Sequence, residues 1–162
     1  FLPLLRKYGP ARIVNVSSGN LTPAPFTGVY LVSKFGVEGI TNVLRYEMAP
    51  FGIQATSVEP AGMKTNMTKN AEERTKQTWD RMGEKVKNAY YDKINPSLEF
   101  MNSVIDSSDE PIEVAKVILK ALNAKKMKIR YQAKSVAWQL PVWRLLGENA
   151  FESMMMKGMK LK

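Results

Sequence analysis

The chain has 162 residues, 44% of them hydrophobic and 24% charged, the balance of one globular domain long enough to bury a core. It contains no Cys and no His, which excludes disulfide scaffolds, zinc fingers, Ser–His–Asp triads and histidine-based metal sites. Acid–base chemistry therefore falls to Tyr, Lys, Asp or Glu.

In chain order, Phe1 to Lys7 reads as the end of a helix closed by Gly9-Pro10. The chain opens on Phe, inside an apolar run, so the expectation is that an N-terminal part is missing. Arg12 to Ser17 is short and β-branched, which predicts a buried strand. Gly19 to Gly28, with two prolines and small polar residues, predicts a loop. Val29 to Met48 has helical periodicity and is stopped by Pro50 and Gly52. Ile53 to Val58 predicts a second strand, ended by Pro60 and Gly62. Strand, long helix, strand is the βαβ pattern of a parallel α/β sheet.

Residues 66–108 are polar and helical in propensity, with Trp79, Tyr90, Tyr91 and Phe100 scattered among charges. An insertion after the C-terminal end of a strand is where α/β proteins place lids and substrate loops. Asp109-Glu110-Pro111 starts a marked helix, and Met127 to Tyr131 predicts a last short strand.

The net charge of +9 is unevenly placed. Residues 1–124 hold 15 basic and 13 acidic side chains, and residues 125–162 hold 9 basic and 2 acidic. In the tail that excess interleaves with Trp138, Trp143 and the run Met154-Met155-Met156. Such a tail suits an anionic membrane surface, with a solvated Lys-rich terminus as the alternative. No nucleic-acid recognition motif accompanies the charge, so no nucleic-acid partner is expected.

Three features stand in order after the first strand: Ser17-Ser18, then Tyr30-x-x-x-Lys34, then Pro60 to Thr65. Tyr30 and Lys34 are four apart at a helix start and share one face. A protonated amine beside a phenol favours the phenolate, which suits a Tyr for proton transfer. Ser18 closes the strand on the side of Val14 and Val16, with Ser17 on the other. Ser and Tyr hydroxyls converging on one carbonyl or alcohol oxygen, with a hydride donor across the carbon, make an alcohol–ketone redox site. Each signal alone is common; their order is specific.

Together these residues resemble the short-chain dehydrogenase/reductase family. Arg12 to Ser18 is similar to its catalytic-serine strand, and Tyr30 with Lys34 to its catalytic pair. Lys34-Phe35-Gly36-Val37-Glu38, Leu44-Arg45-Tyr46-Glu47 and Val58-Glu59-Pro60 are similar to its retinol dehydrogenase and 17β-hydroxysteroid dehydrogenase branch, as is the twelve-residue step from Ser18 to Tyr30. The resemblance implies an α/β fold: the C-terminal part of a Rossmann-like, doubly wound parallel sheet, without its glycine-rich N-terminal half. It implies a partial dinucleotide-binding and catalytic domain over 1–134, with 66–108 as the substrate-loop insertion, and a basic, aromatic helical tail over 135–162.

By the same resemblance, Ser18 polarises the substrate oxygen. Tyr30 is the general acid/base, and Lys34 favours its phenolate and holds the nicotinamide ribose. Tyr30, Lys34, Pro60, Met63 and Thr65 lie against NAD or NADP. The substrate class implied is a hydrophobic alcohol or ketone, retinoid or steroid. Residence at the endoplasmic reticulum membrane is implied too, with the cytoplasm as the alternative, and a homodimer through the 29–48 helix.

Two departures qualify the match. Ala61 stands where the family has Gly after Pro, and Gly62 is expected to supply that freedom one residue later. No Gly-x-Gly pair occurs anywhere, so the pyrophosphate turn is not in this chain. Two readings therefore stay open: part of an oxidoreductase, inactive alone, or a truncated non-enzymatic fragment or pseudoenzyme with an interaction or membrane-surface role.

Overall fold

The computed structural model describes residues 1–19, 25–106, 108–133 and 148–161. Arg12–Val16 (β1), Gln54–Pro60 (β2) and Arg130–Ala133 (β3) form a parallel sheet in the order β1-β2-β3. Asn15 lies opposite Ser57, Val16 opposite Val58, and Val58 also opposite Tyr131. The central strand β2 is buried from Ala55 through Glu59, as a strand covered on both faces must be. β1, paired on one side only among the described strands, has no fully buried residue.

One face of the sheet carries the apolar core. Val58, Tyr131 and Ala133 pack with Ala121 of the helix Pro111–Asn123 (α6), and Val14, Val114, Val117, Ile118 and Met127 close around them. Pro111 in the first turn and Glu113 beside it start α6 where the sequence predicts. β3 begins later than the predicted Met127. Residues 127 and 128 are tied to β2 by side chains instead: Gln54 Oε1 accepts from the Met127 amide at 2.8 Å, and Thr56 Oγ1 donates to the Lys128 carbonyl at 2.8 Å. The strand ladder itself starts at Arg130, opposite Ser57.

Side chains alternate along a strand, so Asn15, Ser57 and Arg130 occupy the opposite face. The long helix Gly28–Glu47 (α2) lies there, and it packs inside out. Its sheet-facing side is polar. Asn15 Nδ2 donates to Thr41 Oγ1 at 2.8 Å, and Arg45 donates to the Ala55 and Ile129 carbonyls at 3.2 and 3.0 Å. Its apolar side faces outward, with Val29 87%, Val32 74% and Tyr46 80% exposed. A 3-10 turn over Ala49–Phe51 ends the helix, and Gly52 at φ 69° makes the reversal.

Helix Leu2–Tyr8 (α1) precedes β1 and stops at Gly9, φ 88°. The 66–108 segment folds as three helices, Asn66–Lys69 (α3), Ala71–Arg81 (α4) and Glu84–Asp106 (α5), the last with Pro96 inside it. Near the C-terminus, Glu148–Gly158 (α7) is helical, and a Cβ on Gly158 would sit 3.5 Å from the Phe100 ring, so the small residue lets α7 approach α5. Of the predicted tail, Trp138 and Trp143 lie outside the described residues. Among the described residues no helix is long and apolar enough to cross a membrane.

Candidate active site

The parallel ladder runs past the end of β1. The Ser17 amide donates to the Val58 carbonyl at 2.9 Å and the Gly19 amide to the Pro60 carbonyl at 2.7 Å. Ser17, Ser18 and Pro60 thus come together at the carboxyl end of the sheet, where open α/β sheets bind ligands. Met63 continues the junction, buried and bridged to Asp109.

Tyr30 and Lys34 occupy the first turns of α2, four residues apart. Lys34 Nζ donates to the Val16 carbonyl at 3.2 Å and lies 5.8 Å from the centre of the Tyr30 ring. One amine therefore joins the helix to the strand end and stands beside the phenol. Ser33 is not available for the same work: its hydroxyl donates to the Tyr30 carbonyl at 2.7 Å.

Ser17 faces α2, and its hydroxyl donates to the Lys34 carbonyl at 3.4 Å. Ser18 is buried, and among the described residues its hydroxyl makes no hydrogen bond to Tyr30 or Lys34. Thr65 caps α3: its side chain accepts from the Thr68 amide, and the Thr65 amide donates to Thr68 Oγ1 at 2.9 Å. Gly62 does not supply the expected freedom. The glycines at positive φ among the described residues are Gly9 and Gly52, so Ala61 in the family's Gly position needs no left-handed substitute after it.

A charge cluster with two buried carboxylates, absent from the predicted site, lies one turn further along α2. Glu38, one turn beyond Lys34, is only 7% exposed. Its Oε2 accepts from Ser57 Oγ at 3.1 Å and from Arg130 Nε at 3.0 Å, and the same Nε is 3.0 Å from Glu59 Oε1. Burial alone would raise the Glu38 pKa, but hydrogen bonds from Ser17, Arg130 and Ser57, with the charge of Arg130, hold it below the ordinary 4.5. The signal in the sequence was the spacing: Tyr30, Lys34 and Glu38 recur every four residues along one helix face.

The insertion reaches the loop that leads to Tyr30. Phe26 packs edge-on against Trp79 of α4 at 5.4 Å, and Trp79 against Tyr91 of α5 at 5.2 Å. Phe26 holds φ at 63°, a left-handed conformation that costs a bulky residue energy and that the aromatic packing must sustain. Trp79 is buried, and its indole N–H has no partner among the described residues.

The donor set fits one end of a dinucleotide. Lys34 and Tyr30 present an ammonium and a hydroxyl suited to ribose oxygens, while no Gly-x-Gly turn exists in the sequence to cradle a pyrophosphate.

The short chain dehydrogenase family model matches residues 1–76. The chain is similar to 17-beta-hydroxysteroid dehydrogenase type 6 of Mus musculus, at 45% identity over 89 residues, 53% of this chain and 28% of that protein. It is also similar to retinol dehydrogenase 7 of Rattus norvegicus, at 32% identity over 136 residues, 82% of this chain and 43% of that protein. In fold it matches a short chain dehydrogenase from Burkholderia cenocepacia solved in complex with NADP. The TM-score is 0.66 at 18% identity, over 96% of this chain and 51% of that one. Through residues 1–76 the chain is a short-chain dehydrogenase family sequence, and its curated relatives include retinol and hydroxysteroid dehydrogenases. It spans less than half the length of these two curated relatives.

Proposed function

We propose that this chain is the nicotinamide and substrate half of an NAD(P)-dependent oxidoreductase that interconverts a hydrophobic alcohol, retinoid or steroid in class, and its carbonyl. The observation that carries the proposal is the placement of Tyr30 and Lys34 at the carboxyl end of the sheet, with Lys34 Nζ on the Val16 carbonyl at 3.2 Å. Bound NAD(P) supplies the hydride for reduction and accepts it in oxidation. In reduction the Tyr30 hydroxyl gives its proton to the substrate oxygen; in oxidation the phenolate takes it back. Ser18 donates a hydrogen bond to that oxygen, and Lys34 would hold the ribose. Pro60, Met63 and Thr65 would hold the nicotinamide end. The Phe26–Trp79–Tyr91 cluster supports an apolar substrate, because it sets aromatic surface from the insertion beside the loop entering α2.

The outward apolar side of α2 supports a homodimer through this helix. Endoplasmic reticulum residence and membrane-surface contact through the basic tail belong to the same proposal. The half-paired β1, with Leu4 and Tyr8 of α1 exposed, favours a second reading for the isolated chain, a non-enzymatic piece with an interaction role.

Two measurements test this. Titrated alone, the chain should show no NAD or NADP binding, and a micromolar dissociation constant would contradict the half-site assignment. A protein spanning the full length of the relatives should oxidise members of a retinol and hydroxysteroid panel. Turnover of small polar alcohols alone would sink the substrate class.

A further inference from the structure

The tethers between α2 and the sheet are polar, and the buried residues of the helix are Glu38 and Thr41. Lys34 Nζ and Ser17 Oγ make the contacts at the front of the helix, at 3.2 and 3.4 Å. Glu38 sits one turn behind, where Ser57 of β2 and Arg130 of β3 both bond its Oε2. Arg130 is itself anchored by Glu59 at 3.0 Å. One carboxylate thus links α2 to the two strands that do not carry Lys34's own contact.

This ion pair is a poor device for stability alone, since burial of the Glu38 carboxylate offsets much of the attraction and the Arg130 side chain is 42% exposed. Its contribution is direction: a hydrogen-bonded carboxylate accepts one placement of the helix, where apolar packing tolerates sliding. That matters for α2, where Val29, Val32, Phe35, Ile40, Val43 and Tyr46 are exposed and leave the polar contacts a large share of the positioning.

We infer that Glu38 is a positioning residue for the Tyr30–Lys34 pair: held by Arg130 and Ser57, it sets where the first half of α2 lies over the ends of β1 and β2. The catalytic consequence rests on the function proposed above; the placement of α2 does not.

Hydrogen exchange on the chain tests the placement. Glu38→Gln keeps the shape and the Ser57 contact but removes the charge facing Arg130. Amides of the first half of α2 should exchange about tenfold faster, with α6 changed by less than about twofold. Glu38→Asp, which keeps the charge and shortens the reach, should give a smaller rise at the same amides. Unchanged α2 amides, or α2 and α6 loosened together, would overturn the inference, as would failure of both variants to fold.

In the full-length protein, Glu38→Gln should lower kcat about tenfold with KM changed less than about twofold. Arg130→Met should match it, and the double variant should lose no more than either single one. Additive losses, or a loss confined to KM, would contradict the positioning role. A wild-type protein with no oxidoreductase activity would defeat the proposed function, while the exchange result would still decide the placement.

Discussion

Lys34 Nζ donates to the carbonyl of Val16, the last residue of β1, at 3.2 Å. The bond crosses from the second turn of α2 to the strand end and holds the ammonium beside the Tyr30 ring. Lys34→Met should cost about 1 kcal/mol of stability through this bond and abolish most turnover. Lys34→Arg keeps the charge but replaces a compact ammonium with a planar fork, so it should also impair activity. Thermal unfolding and steady-state kinetics on the full-length protein separate the two effects. Full activity in Lys34→Met would remove the lysine from the mechanism.

Ser17 and Ser18 should respond differently to alanine. Ser18→Ala should lower turnover while cofactor affinity stays nearly intact, because its hydroxyl is assigned to the substrate oxygen. Ser17→Ala removes a buried hydroxyl that donates to the Lys34 carbonyl, so its effect should appear first as about 1 kcal/mol of lost stability. A kinetic loss in Ser17→Ala larger than in Ser18→Ala would reverse the two roles.

Acid should weaken the fold through Glu38. Its folded pKa lies below 4.5, so the ionised carboxylate stabilises the native state fully above about pH 4.5, and that contribution is lost as pH falls through the lower, folded value. The melting-temperature gap between wild type and Glu38→Gln should therefore be constant near neutrality and narrow below about pH 4.5. A gap that widens with acid has the wrong sign for a carboxylate held ionised.

The aromatic chain should tie the insertion to the loop before Tyr30. Trp79→Ala should cost about 3–5 kcal/mol, the range for deleting a buried aromatic. Phe26→Gly relieves the left-handed backbone but loses the edge contact with Trp79, so proteolytic cleavage at residues 25–27 should speed up even though strain is gone. An unchanged cleavage rate would show that the contact does not restrain the loop.

Much of this was legible in the residues. β-branched runs bounded by Gly and Pro marked β1 and β2, and Pro111 with its acidic neighbours marked the start of α6, because those signals are local. The residue pattern starts β3 a few residues early because the side chains of Gln54 and Thr56, not a strand ladder, hold residues 127 and 128. The Tyr30–Lys34 pair was legible from its spacing. The Glu38–Arg130 contact was not, since it joins residues 92 apart and depends on β3 lying beside β2. Nor did periodicity reveal that α2 turns its apolar residues outward; an amphipathic pattern gives a face, not what covers it.

The central claim is that the Tyr30 hydroxyl carries the proton. Tyr30→Phe keeps the ring and removes only that hydroxyl, so turnover by the full-length protein with a retinol or hydroxysteroid substrate is the direct measurement. The assignment predicts unchanged folding and a loss in kcat of about a hundredfold or more. A helix-surface Tyr–Lys pair without a catalytic role contributes only a few tenths of a kcal/mol, and a Tyr30→Phe protein with near-normal turnover would contradict the assignment.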